Sequence, residues 1–309
     1  MILEYFFTSR RVEKKPYLAF FLAFSYALLS IIFSLLLPWN ISLVSLFMVT
    51  IACLPSLNRL LALEERKGIL EIEKKELLNI LKMEDPKKFE EIKEKLWKKV
   101  RYPLIMEFKN VIGVFFFFFL GLFSAYFLLG LLLPSQGYSS LFAAQIEEIQ
   151  RISKLITGGV VYGDALGLIL SNNLRVAFFV FLFSLIYGIG SMFILVWNSS
   201  ILACGVSNFI RNEISQLALS GGATHIFSYF HVIPLAFGAY MIHGTIEIFS
   251  YFIMAVAGAL LSIGITKRGV RSKEFVEFAI NIMDLVLISI ILLIIAAIVE
   301  VTLPSLLRG

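Results

Sequence analysis

The chain has 309 residues, of which 59% are hydrophobic and only 16% are charged, and its mean hydropathy is +0.88. A soluble protein of this size needs more polar surface than this composition supplies, so a soluble globular fold is excluded. Apolar runs of spanning length recur along the chain and are continuous rather than alternating, which favours helices over barrel strands. The sequence therefore predicts an all-α fold, a polytopic transmembrane helical bundle of six to seven spans.

The net charge is +5, but the basic residues lie beside apolar spans and are mixed with acids. They indicate membrane topology rather than a nucleic-acid surface, so no nucleic-acid partner is expected. The two cysteines, Cys53 and Cys204, lie in apolar segments without CxxC spacing. We interpret both as small core residues rather than as a disulfide or redox pair.

Residues 1–63 are predicted to form two N-terminal transmembrane helices. The first span, at about 17–37, follows four basic residues between positions 10 and 15. By the positive-inside rule the N-terminus is therefore expected in the cytoplasm, with the protein in the cell membrane. Residues 38–40 form an outer turn, and the second span, at about 41–63, returns to the cytoplasm.

Residues 64–110 are rich in Lys and Glu and are predicted to be the main segment outside the membrane, on the cytoplasmic side. Apolar residues recur at helical spacing on both sides of Asp85-Pro86, a typical helix start, so the segment is interpreted as a helical hairpin. The hairpin either packs on itself or on a second subunit, or remains a solvated charged arm. Its Lys and Glu usage is typical of a hyperthermophile, such as an archaeon.

Residues 111–309 are predicted to form a transmembrane core, which begins with a third span at about 111–133. In the outer segment that follows, an apolar stripe at helical spacing predicts an amphipathic helix over 139–157. This helix either lies on the outer membrane surface or binds a partner.

The rest of the predicted core contains a discontinuity. The fourth span is placed at about 174–196, and the last two, at about 242–265 and 278–303, flank basic residues expected in the cytoplasm. This topology leaves one net crossing for residues 198–241, where the sequence offers two short apolar pieces and Pro234. We therefore predict a broken or re-entrant element there, buried in protein or lining a wet cavity.

The most informative motif is an ionisable pair inside an apolar span. Glu247 is the one acid between Ile242 and Ile265, and His243 lies about one helical turn before it on the same face. A carboxyl group at membrane depth costs about 2.5 kcal/mol or more, so by default it marks a site. Three interpretations remain open: a packing hydrogen bond, a site for an ion, proton or ligand, and a catalytic pair.

Amides flank the predicted fourth span at Asn172, Asn173 and Asn198. Such amides can cap helix ends or form hydrogen bonds across helices. Alternatively, Asn173 and Asn198 frame the broken element and line one polar cavity with Glu247. Glu300, near the far end of the last span, is predicted to be interfacial. The predicted intramembrane polar site comprises His243, Glu247, Asn172, Asn173 and Asn198.

The sequence gives little support for a metal or catalytic site. His225, His231, His243 and Glu247 are close in sequence, but their spacing matches no standard ligand pattern. No HExxH, GxSxG, Walker or Rossmann pattern accompanies them. We therefore expect no bound metal, no cofactor and no enzymatic activity.

Several short motifs together resemble a known family, the stage II sporulation protein M family. The resemblance covers about residues 165–300, and its most specific element is the His-Gly-x-x-Glu box, before which Ile242 replaces the usual proline. Members of the family are integral membrane proteins of bacteria and archaea. The motifs that carry the resemblance are Asn172-Asn173, Gly188-x-Gly190, Trp197-Asn198 with Gly205, His243-Gly244-x-x-Glu247, Gly258 and Gly264.

In sporulating bacteria the namesake of the family is a membrane scaffold that holds cell-wall hydrolases at the septum during engulfment. The resemblance therefore implies a non-catalytic integral membrane scaffold, which lies in the lipid bilayer and recruits membrane or envelope proteins. A channel or transporter with a broken helix and a carboxylate site at Glu247 is the alternative. A homo-oligomer, most simply a dimer, is also expected, because the spans are rich in small residues.

Overall fold

The computed structural model describes residues 12, 15–55, 83, 85–86, 109–157, 162–187, 191–219, 226–268 and 273–307. Every regular element within these residues is an α-helix, which confirms the predicted fold class. Six of the described helices are long and apolar enough to cross a membrane, and one shorter apolar helix accompanies them. The chain is therefore a multi-pass helical membrane protein.

The first and third predicted spans agree with the structure to within a few residues. The predicted hairpin at 64–110 lies almost wholly outside the described residues, as does the end of the second span after residue 55. The described helices, in chain order, are α1 (Leu18–Leu35), α2 (Ile41–Pro55), α3 (Lys109–Leu132), α4 (Ser135–Leu141), α5 (Ala143–Thr157), α6 (Tyr162–Tyr187), α7 (Met192–Leu219), α8 (Ile226–Arg268) and α9 (Lys273–Leu307).

The predicted broken element at 198–241 is wrong for the residues that are described. Helix α7 runs without interruption from Met192 to Leu219, and Pro234 lies inside α8 without ending it. A proline is tolerated in a membrane helix because neighbouring groups satisfy the carbonyl that it leaves free. The two short apolar pieces belong to the longer helices α7 and α8, each of which contains a candidate membrane span.

The predicted fourth span at 174–196 is also wrong. Helix α6 ends at Tyr187 and α7 begins at Met192, so the predicted range joins the end of one helix to the start of the next. The candidate span of α6 is Ala165–Ile186. The predicted span begins after Asn172-Asn173, because amides commonly start a helix. In the structure both amides lie near the middle of α6.

The outer segment forms two helices rather than one surface helix. The fully buried Phe142 separates α4 from α5, and Gln145 in the first turn of α5 is fully buried as well. Further along α5, Glu147 and Arg151 are exposed. The helix is amphipathic as predicted, but its first turn is inserted into the bundle.

Helix α8 organises the half of the bundle that carries the candidate site, because it packs against both α6 and α9. At Gly258 its backbone approaches the carbonyl of Phe181 in α6 so closely that a Cβ atom would clash. On its other side, the hydroxyls of Ser250 and Ser289 in α9 are 2.6 Å apart and exchange hydrogen bonds. These contacts fix α6, α8 and α9 against one another.

Candidate functional site

Glu247 occupies the centre of the longest candidate span. That span runs over Val232–Ser262 in α8, so Glu247 is equally far from its two ends. The side chain is partly buried. An acid in the middle of an apolar helix is costly as an unpaired charge, so its partners are informative.

The first partner of Glu247 is Asn173 of α6. The side-chain amide of Asn173 donates a 2.7 Å hydrogen bond to Oε1 of Glu247, and Asn173 is only 5% exposed. The neighbouring Asn172 donates to Oδ1 of Asn173 at 3.4 Å. Because Gly258 lies beside Ser184 further along the same two helices, α6 and α8 run parallel with these amides level with Glu247.

The second partner of Glu247 is Glu300 of α9. The carboxyl groups of Glu247 and Glu300 lie close together. Two ionised carboxylates held side by side in an apolar interior would repel each other, so we expect at least one member of this pair to carry a proton. We call Asn173, Glu247 and Glu300 the carboxyl cluster; it connects α6, α8 and α9.

Glu300, predicted to be interfacial, lies two residues before the end of its candidate span in α9. Its carboxyl group lies close to that of Glu247 in α8. Two tyrosines of α8 are close enough to interact electrostatically with this acid, Tyr240 and the buried Tyr251.

His243 and Glu247 do not act as a pair in the structure. Nδ1 of His243 is buried without a hydrogen-bond partner among the described residues, whereas Glu247 accepts a hydrogen bond from Asn173. Both residues lie on one face of α8, as the spacing predicts, but the carboxyl group of Glu247 contacts Asn173 of α6 and Glu300 of α9. Between them, Gly244 is buried against Leu202 of α7.

Asn198 is not part of the carboxyl cluster. Its side-chain amide donates a 2.7 Å hydrogen bond to the carbonyl of Ile194 in its own helix, α7. Helix α7 continues through Asn198 without a break. Among the described residues, no group of three or more His, Cys, Asp or Glu side chains could hold a metal ion.

The bundle interior also contains a second hydrogen-bond network, which is built from neutral groups and was not predicted from the sequence. Ser42 of α2 donates to Oε1 of Gln145 at 2.7 Å, and Nε2 of Gln145 donates to Ser200 of α7 at 3.0 Å. The backbone N–H of Ala144 also donates to Ser42 at 3.3 Å. We call Ser42, Gln145 and Ser200 the amide network. Its sequence signal is weak, because Gln145 resembles any polar residue of an amphipathic helix.

Comparison with known proteins gives one match. The model of the family described as stage II sporulation protein M matches residues 111–303, well over half of the chain and all of the carboxyl cluster. No curated protein and no solved structure is significantly similar to the chain. The match confirms the resemblance carried by the His-Gly-x-x-Glu box and extends it to α3, α4 and α5. The chain belongs to the stage II sporulation protein M family.

Proposed function

We propose that this protein is a non-catalytic membrane scaffold that recruits partner proteins, as the namesake of its family does. The observation that carries the proposal is the carboxyl cluster. Asn173, Glu247 and Glu300 each come from a different helix, and Glu247 accepts a hydrogen bond from Asn173 and lies close to Glu300. In this arrangement the polar side chains of the carboxyl cluster hold α6, α8 and α9 in register.

The energetics favour a rigid platform. A single hydrogen bond between membrane helices contributes about 0.6 kcal/mol, but leaving a buried polar group without its partner costs about 1–3 kcal/mol. The carboxyl cluster therefore penalises any sliding of α6 or α9 along α8. The serine pair Ser250–Ser289 adds a second link between α8 and α9. A bundle fixed in this way can present constant surfaces to its partners.

A channel or transporter is the second candidate, and one observation favours it. Glu247 and Glu300 bring two carboxyl groups close together inside apolar helices, where like-charge repulsion favours retention of a proton between them. Intramembrane carboxyl groups of this kind serve as proton relays and cation sites in pumps and transporters. On this account the cluster must lose and regain its proton during each transport cycle.

Cross-linking and flux measurements together test the proposal. A photo-crosslinking amino acid is introduced at Met83 and, separately, at Glu147, which are both exposed, and the full chain is irradiated in its native membranes. A scaffold gives discrete adducts with other proteins, and purified chain in vesicles dissipates neither a proton nor a cation gradient. Glu247→Gln is the matched variant for both measurements.

The two functions give opposite results. A scaffold retains its adducts in Glu247→Gln, because glutamine can still accept from Asn173 and donate to Glu300. Wild-type vesicles that dissipate a gradient, with the flux lost in a folded Glu247→Gln variant, would exclude the scaffold as the sole function. Native membranes that give no adduct from either position would also contradict it.

A further inference from the structure

Helix α6 has an exposed face without a partner among the described residues. Its candidate span is the least buried of the six, with 22% of its window buried. The exposed residues recur at spacings of three and four, so they form one stripe along the helix. We call this stripe the α6 face; it comprises Gly167, Leu168, Ser171, Arg175, Phe178, Phe179 and Ile186.

The centre of the α6 face is a cation, Arg175. It lies ten residues after Ala165 and eleven before Ile186, the two ends of the candidate span, which is about 15 Å of helix on either side. Two residues earlier, Asn173 bonds to Glu247 at the centre of α8. Arg175 therefore lies near the middle of its candidate span, whereas arginines that snorkel to the interface lie near helix ends.

Arg175 differs from Arg211, another arginine within a candidate span. The guanidinium of Arg211 donates to the carbonyls of Gly130 and Leu133, at 3.2 and 2.8 Å, and to the hydroxyl of Ser135. Arg175 is exposed and has no hydrogen bond or ion pair within the part of the chain that the structure describes. A charge in this position needs a counter-charge, because lipid tails cannot solvate it.

We propose that the α6 face binds a membrane-spanning helix of another protein, one that carries an Asp or Glu at mid-membrane depth. Arg175 pairs with that carboxylate. Gly167 and Ser171, four residues apart, let the partner backbone approach closely, since no atom lies within 4 Å of a Cβ placed on Gly167. The inference rests on the proposed scaffold function and names the surface and the partner chemistry that the function requires.

A second copy of this chain fits the α6 face poorly. In a two-fold dimer the same stripe meets itself, so Arg175 would face Arg175 across the axis. The exposed acid Asp284 lies only two residues into the Ile282–Thr302 span of α9, far from the mid-depth of Arg175. The charge of the face therefore favours a different chain as the partner.

Energy transfer in vesicles tests the docking face directly. The full-length protein carries a donor dye on Gln150→Cys in α5, where the residue is exposed; the natural cysteines Cys53 and Cys204 are fully buried. Acceptor-labelled peptides are Ala/Leu transmembrane helices that are identical except for Asp, Leu or Lys at the centre. We expect the Asp peptide to associate about tenfold more tightly than the Leu peptide, and the Lys peptide to associate least.

Matched variants separate charge from packing. Arg175→Gln should remove the preference for Asp, and Arg175→Lys should retain most of it. Arg151→Gln, which removes an exposed arginine on α5, should leave the preference unchanged. Gly167→Ile should weaken the association of all three peptides, because it blocks close approach without touching the charge.

Three results would overturn the proposal. The first is equal association of the three peptides, or a preference for Asp that survives Arg175→Gln. The second is Arg175-dependent energy transfer between two labelled copies of the chain, which would assign the face to a homodimer. The third is Arg175-dependent binding of spin-labelled phosphatidylglycerol without any preference among the peptides, which would assign it to an anionic lipid. All three concern the face alone, so they are distinct from a failure to find native cross-links.

Discussion

The carboxyl cluster and the amide network both join three elements of the bundle, but they differ in charge. Asn173, Glu247 and Glu300 contain two ionisable groups that share a proton, whereas Gln145 and its serine partners contain none. The neutral network can satisfy hydrogen bonds and nothing more. The ionisable cluster can do the same work and can also exchange a proton or hold a cation. The question of function therefore depends on whether the carboxyl cluster behaves as the amide network does.

The largest effect is expected at the contact that brings α6 to the carboxyl cluster. Gly258→Leu places a side chain against the carbonyl of Phe181 and should lower the free energy of unfolding by about 3 kcal/mol. Unfolding in mixed micelles, followed by circular dichroism, measures the change. Gly167→Leu on the same pair of helices is the control, because its site is open and its stability should not change. Equal stability of the two variants would contradict the close approach of α6 and α8.

Removing the central acid should have the next largest effect. Glu247→Ala leaves the amide of Asn173 and the carboxyl group of Glu300 without their shared partner. The free energy of unfolding should fall by about 1–3 kcal/mol, the cost of buried polar groups that lose their hydrogen bonds. Adding Asn173→Ala to this variant should cost little more, since the two residues act as one unit. Additive losses would show that they do not.

The amide network should be weaker and independent of pH. Gln145→Ala removes the link between Ser42 and Ser200 and should lower the free energy of unfolding by about 1 kcal/mol. No group in this network titrates, so the loss should be the same at pH 5 and pH 8. A loss that changes with pH would mean that an ionisable group is coupled to Gln145. Measuring the free energy of unfolding of Glu247→Ala at the same two pH values compares the ionisable carboxyl cluster with the neutral amide network directly.

The smallest effect is expected on the exposed side of α5. Arg151 forms two hydrogen bonds with Glu148, at 2.6 and 2.9 Å, and they lower the pKa of that carboxyl below its usual 4.5. A depressed pKa means that the pair stabilises the folded protein above pH 4.5 and that this contribution is lost as the pH falls through the lower folded value. Arg151→Gln should therefore change the melting temperature only slightly near neutral pH, and the change should become smaller as the pH falls below 4.5. A larger change in melting temperature at pH 3 than near neutral pH would contradict this prediction.

A functional site can be predicted from a charged residue in an apolar run, whereas contacts between neutral polar residues are hard to predict from the sequence. Glu247 was found because an acid is rare at membrane depth, and its interior position follows from the same cost. Gln145 was missed because a glutamine on an amphipathic helix normally faces water. Glu300 was found, but its closeness to Glu247 was not predicted, because only the packing of α9 against α8 brings the two residues together.

Helix boundaries show a similar limit. Asn172-Asn173 was interpreted as the start of a span and Pro234 as a break, because both signals are strong in isolated helices. In the bundle, Asn173 is satisfied by α8, and Pro234 lies within a 43-residue helix. Local signals of this kind are overridden when neighbouring helices provide the missing partners. The apolar runs themselves, which depend on length and composition alone, predicted α1 and α3 to within a few residues.

The most direct test is to make the carboxyl cluster as neutral as the amide network. Glu247→Gln keeps an acceptor for Asn173 and gains a donor for Glu300, but it removes the shared proton. As a scaffold, the variant should keep its free energy of unfolding to within about 0.6 kcal/mol, the size of one interhelical hydrogen bond. It should also keep the adducts formed from Met83 and Glu147 in native membranes. A variant that is equally stable but abolishes a proton or cation flux measured for the wild type in vesicles would contradict the account.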